Sequence, residues 1–129
     1  MRKAFLVILV VSTVLPAGCA STRVSSPRIS GIYSNLTYTE EAGDLVGMEL
    51  AIVPSGTGYT AFVQISEGGE PYTVLVPFAV RGSNVEFTLP ASPPYSSAHF
   101  TGTWGESGLV IRGDNGEPET LKRGHSYWE

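Results

Sequence analysis

Only one of the 129 residues is a cysteine, Cys19, and only two are histidines, His99 and His125. A single cysteine excludes an internal disulfide framework and any multi-cysteine zinc site. Two histidines make no His-rich cluster, so neither a metal nor a cofactor is expected. Basic residues are scarce too: 8 Lys and Arg stand against 12 Asp and Glu, a net charge of −4. A chain of that charge lacks the broad basic face that binds nucleic acid. Charged residues make up 16% of the sequence and hydrophobic ones 42%, which is a folded composition rather than a disordered one. The length allows one domain and leaves no room for a cofactor domain beside a substrate domain.

A run long enough to span a membrane is also missing. Ala4 to Leu15 forms an apolar stretch of about a dozen residues, short of the roughly 20 a transmembrane helix needs. It follows the basic start Arg2-Lys3, as the hydrophobic region of a secretory signal peptide does. Small residues Ala17-Gly18 then lead into Cys19. These residues resemble a bacterial lipoprotein signal, cleaved before its lipobox cysteine, with Pro16 where an aliphatic residue is usual. An ordinary secretory signal with a Cys near its end is the plainer alternative.

The resemblance implies acylation of the Cys19 thiol, palmitate included, and membrane partnership through that anchor. It implies three acyl chains on the mature terminus, where a single chain would hold the protein only marginally. Ala20, where this class carries Asp for inner-membrane retention, implies the outer membrane, facing the periplasm, if the host is Gram-negative. The expected organisation is a signal-peptide helix at 1–18, an anchor with flexible linker at 19–28, and a β domain at 29–129. Cleavage removes Arg2 and Lys3, leaving 6 basic against 12 acidic residues, net −6. An acidic domain is repelled by an anionic membrane surface, so the anchor acts as a tether.

From Ile29 onward, runs rich in Val, Ile, Tyr, Phe and Thr alternate with Gly, Pro, Asn and Ser turns. The first, 31–39, sets Ile32, Leu36 and Tyr38 in phase. The second, 45–53, sets Val46, Met48, Leu50 and Ile52 on one face. The third, 59–66, carries Phe62 as an exception on its polar side, and in the fourth, 72–80, Pro77 removes a ladder donor, predicting an edge or a bulge there. Further runs fall at 85–89, 100–104, 109–112 and 120–123, with a three-proline break from Pro90 to Ser97. No segment shows a sustained helical period.

The expectation is an all-β antiparallel meander of about eight strands, closed or partly closed into a small barrel, since closure removes exposed edges. An open sandwich is the alternative. The predicted inward set is Val46, Met48, Leu50, Ile52, Val63, Ile65, Val74, Val76, Phe78, Phe87, Phe100, Trp104 and Ile111. These are mostly large side chains, which favours a filled barrel over a roomy one.

Catalytic chemistry finds little footing. Glu40, Glu41 and Asp44 crowd one Gly-containing turn, which offers solvent and not the burial a catalytic carboxylate pair needs, and the calcium-loop spacing is absent. Neither His99 nor His125 has a nucleophile context, and both read as surface or rim residues. No catalytic residue is assigned and no enzyme is expected. Asn35-Leu36-Thr37 fits the glycosylation pattern, which in a bacterial lipoprotein reads as a chance match.

Ser55-Gly56-Thr57-Gly58-Tyr59 resembles the Ser-Gly-x-x-Tyr motif of bacterial membrane-bound inhibitors of c-type lysozyme. That resemblance implies an eight-stranded barrel lipoprotein with Ser55 and Tyr59 as contacts to the enzyme's cleft, although the cysteine pair common in those inhibitors is absent. Read from the residues alone, the motif is a hairpin turn. At the C-terminus, Lys122 to Glu129 gathers His125, Tyr127 and Trp128. The aromatic pair could stack on sugar or peptidoglycan; the preferred reading has it plug a barrel end or pair the last strand with the first. Tyr95, in the proline break, is a further candidate contact. The overall pattern resembles short bacterial lipoproteins of unassigned function. The expected role is a non-catalytic binding or interaction module for an envelope protein or peptidoglycan; the alternatives are a c-type lysozyme inhibitor and a carrier of small apolar ligands.

Overall fold

A computed structural model describes residues 28–129. The expected signal-peptide helix, Cys19 and most of the expected linker lie outside the described residues. Within them the chain forms nine strands and no helix: β1 (Gly31–Ser34), β2 (Thr37–Thr39), β3 (Asp44–Ser55), β4 (Gly58–Glu67), β5 (Tyr72–Arg81), β6 (Asn84–Leu89), β7 (Ala98–Gly105), β8 (Gly108–Gly113) and β9 (Glu119–Gly124). Each strand from β3 to β9 pairs antiparallel with the next, and β1 pairs with both β9 and β3. Eight strands therefore close a barrel, and β2 is one extra strand on β3. The meander and the closure are both present; the open sandwich is not.

β1 and β2 are two pieces of one run, since Ser34 faces Glu49 and Thr37 faces Val46 in the same register. Asn35 makes the break. Its N–H donates to the Met48 carbonyl at 3.0 Å, while its side-chain oxygen accepts the Met48 N–H at 2.7 Å. Gly47 opposite has φ of +118°, and a Cβ there would meet the Asn35 carbonyl and Oδ1 at 2.7 and 2.8 Å. The Asn35 amide also donates to Glu119 at 3.1 Å, so this side chain is part of the barrel wall.

The core is made of Tyr33, Met48, Leu50, Ile52, Ala61, Val63, Val76, Phe78, Val85, Phe87, Leu89, Leu109, Ile111 and Leu121, with Ile29 beneath β1. Phe87 stacks between Phe78 and Phe100 at 5.5 and 5.0 Å. Tyr59, Ile65, Val74, Phe100 and Trp104 pack around this cluster, half-buried. One expected inward residue is not inside. Val46 is 41% exposed, because it pairs with Thr37 and Glu67 at the rim, where the barrel opens.

Ile32, Leu36 and Tyr38 lie on the outer side, where Leu36 is nevertheless buried and Tyr38 is exposed. Tyr33 pairs with the inward Leu50 and is fully buried, its hydroxyl donating to the Ile29 carbonyl at 2.7 Å. Burial pushes the Tyr33 phenol above its ordinary pKa, and the Arg123 guanidinium 5.7 Å from the ring centre partly offsets this. Arg123 also donates to the Arg28 and Ser30 carbonyls, at 2.7 and 2.8 Å, and so clamps the chain's entry into the barrel.

β5 behaves as its proline requires. The ladder to β4 runs from Tyr72 to Phe78 across Pro77, whereas the ladder to β6 holds only Ala79 to Arg81. The 90–97 segment covers the resulting gap: Tyr95 stacks on Tyr72 at 5.4 Å, and the Tyr72 hydroxyl donates to the Pro90 carbonyl at 3.1 Å.

Candidate functional site

Cross-strand pairs share a face, so the register Glu49 with Gln64 places both side chains on the outside of β3–β4. Outer positions are normally wet. Here Glu49 is 8% exposed and Gln64 is 9% exposed. What covers them is the C-terminal segment, which leaves β9 at Gly124 and crosses this outer face. Ser126 Oγ donates to one Glu49 oxygen at 2.6 Å and the Tyr127 N–H to the other at 2.8 Å. The Trp128 indole N–H donates to Gln64 Oε1 at 2.8 Å. Hydrogen bonds to a carboxylate are stronger than those between neutral partners, so Glu49 fixes the segment and Gln64 fixes the indole.

The aromatic rings thus held remain open. Tyr127 is 39% exposed and Trp128 is 58% exposed. They meet edge to face, with ring centres 5.1 Å apart and planes at 88°. Beside them lies a cleft of about 330 Å³ whose walls include Tyr38, Asp44, Leu45 and Pro71. Tyr38 and Leu45 are a cross-strand pair of β2 and β3. The aromatic pair therefore neither plugs a barrel end nor joins the ladder. β9 itself makes the closing pair with β1, through Lys122 to Gly124, while two buried polar groups draw Tyr127 and Trp128 onto the wall.

A second concave region lies at the barrel mouth formed by the β4–β5 turn and the 90–97 segment. Two clefts of about 240 and 430 Å³ adjoin there and share Ile65 and Glu67. Tyr72, Tyr95 and Phe100 line the first, and Val46, Met48, Asn35 and Glu119 line the second. Tyr95 thus belongs to this mouth and not to the C-terminal site.

The other sequence candidates fall elsewhere. Ser55 is exposed at the β3–β4 turn, at the barrel end opposite that mouth, whereas Tyr59 turns inward and packs against the core. His125 is 93% exposed along its side chain and lies 3.0 Å from Glu129. His99 Nδ1 lies 3.0 Å from Thr88 Oγ1, and its Nε2 lies 3.6 Å from Glu86. Among the described residues no three His, Cys, Asp or Glu side chains group closely enough to hold a metal.

The residues that sequence reasoning missed are Glu49, Gln64, Tyr38 and Asp44. Glu49 and Gln64 sit where a strand's polar face should be, and nothing local marks them as buried. No known protein family, curated protein or solved structure matches the chain.

Proposed function

We propose that this chain is a lipid-anchored module of the cell envelope that binds a component of that envelope non-catalytically, through the aromatic surface of its C-terminal segment. One observation carries the reading. Glu49 and Gln64 hold Tyr127 and Trp128 in place while leaving both rings open to solvent. A folding contact would bury those rings; a binding surface keeps them available and preorganised. Aromatic side chains of this kind dominate recognition surfaces, where they combine apolar area with a polar tip.

Cys19, at the end of the lipobox-like Ala17-Gly18-Cys19, supplies the anchor in this reading. Peptidoglycan is the first partner to test, because an outer-membrane anchor facing the periplasm brings the domain beside it. The full chain should sediment with purified peptidoglycan sacculi, and Trp128→Ala should weaken that retention about tenfold. Wild-type protein that stays in the supernatant would contradict the proposal. The anchor is tested separately: Cys19→Ser should shift the protein from the membrane to the soluble fraction, and unchanged fractionation counts against acylation.

Inhibition of c-type lysozyme is a second reading, favoured by the eight-strand closure and by the exposed Ser55 at a hairpin tip. Its test is lysozyme activity with added wild-type or Ser55→Ala protein. No inhibition by the wild type removes it.

A further inference from the structure

The cleft beside the C-terminal segment has the chemistry of an aromatic box. Tyr127 and Trp128 stand at right angles and form a corner. Tyr38 and Pro71 contribute further walls, and Asp44, whose carboxylate lies beside Gly68, is the one acidic residue of the lining, which holds no basic residue. The Trp128 indole N–H is already engaged by Gln64, so what this ring has left to offer a ligand is its π surface and not a hydrogen-bond donor. Ring faces carry negative electrostatic potential and attract cations, and perpendicular rings surround a rounded cation better than a flat one. The Asp44 charge adds to that attraction, and the acidic character of the whole chain draws cations toward it.

A saccharide is served less well. Sugar recognition needs several hydrogen-bonding groups around the stacking ring, and this lining offers two phenols and one carboxylate. An ammonium group needs only π faces and a counter-charge. We infer that the box binds an organic ammonium group, and a methylated one more tightly than a primary amine, because methylation lowers the cost of leaving water. The inference rests on reading the C-terminal segment as the binding surface and adds the ligand class. Such a group could come from a choline-type lipid headgroup or from a free amino group on a cell-wall peptide.

Calorimetric titration of the full chain with tetramethylammonium, choline and lysine amide tests this, with the uncharged dimethylbutanol isostere of choline as control. The expected result is saturable binding of the ammonium ions, with the isostere about tenfold weaker or worse, a ratio that isolates the charge. Asp44→Asn should weaken the ammonium ions about tenfold and leave the isostere unchanged, since only the counter-charge is lost. Trp128→Ala should abolish binding, and Trp128→Phe, which keeps a π face, should retain part of it. Phosphatidylcholine vesicles and peptidoglycan fragments bearing a free amino group then separate the two sources. Equal affinity for choline and its isostere, or no saturable binding of any ammonium ion, overturns the inference. Sacculus binding that depends on Trp128 but coexists with failed ammonium binding would overturn the ligand class and leave the binding surface standing. Loss of both would overturn both.

Discussion

On the inside of the barrel, β3 and β4 oppose Met48 to Ile65, Leu50 to Val63 and Ile52 to Ala61; on the outside, the alternate pairs are Glu49 with Gln64 and Ala51 with Phe62. The inner set is apolar and, apart from the half-buried Ile65, closed to solvent. The outer set mixes two buried polar groups with the exposed ring of Phe62. The same two strands therefore serve two purposes. The inner face supplies most of the folding energy by removing apolar area from water. The outer face spends its burial on two hydrogen-bonding side chains, which position Tyr127 and Trp128 without hiding them. In the proposed function, stability and binding are divided between faces one residue apart.

That division can be broken from either side, and the inner side should give the larger effect. Leu50→Ala leaves a cavity at a position with no exposure, and should cost about 2–5 kcal/mol in urea or thermal unfolding. If it folds, its Trp128 surface should be intact. Glu49→Ala removes the acceptor for Ser126 Oγ and the Tyr127 N–H. It should cost about 1–3 kcal/mol and expose the C-terminal segment to carboxypeptidase, while Glu49→Gln should do less of both. A Glu49→Ala protein with full stability and a protected terminus would show that the segment is held by something other than this carboxylate.

How much of this division was legible in the sequence depends on the distance over which each signal acts. Alternation within a strand is local, so the inward faces of β3 to β8 were readable, and so was the effect of Pro77 on its ladder. Alternation yields two faces, however, without saying which one turns in. At Ile32 and Tyr38 the apolar face points outward, because Tyr33 opposite Leu50 takes the interior, and Leu36 on that outer side is buried all the same. Val46 keeps the inward parity but sits past the rim. The Ser126–Glu49 and Trp128–Gln64 contacts join residues 77 and 64 positions apart. Nothing local to Glu49 or Gln64 announces a partner at the far end of the chain, so the site formed there was not legible.

The smaller predictions concern single groups. Tyr33→Phe removes the hydroxyl donated to Ile29 and should cost about 0.5–1.5 kcal/mol. The phenol's pKa is raised in the folded state, so the fold holds its proton longer than the unfolded chain does. Its contribution is complete below the ordinary tyrosine value of about 10 and declines as pH rises from there through the folded value. Wild-type stability measured against pH should fall more steeply above that point than the stability of Tyr33→Phe. Equal slopes would place the loss in other groups. Last, His125→Ala removes an exposed ring whose one partner among the described residues is Glu129, and unfolding measurements should detect no change. A clear loss would mean that the C-terminal segment is anchored beyond Ser126.

The most direct measurement is a ¹H–¹⁵N correlation spectrum of the full chain titrated with peptidoglycan fragments, following the two indole N–H groups. Trp104 donates to the Gly82 carbonyl at 2.8 Å at the barrel end where the chain enters, and Trp128 donates to Gln64 on the outer face. The Trp128 resonance should shift saturably while Trp104 stays unmoved. Shifts confined to Trp104 and the Ser55–Tyr59 hairpin, or no shift at either indole, would contradict the proposed binding surface.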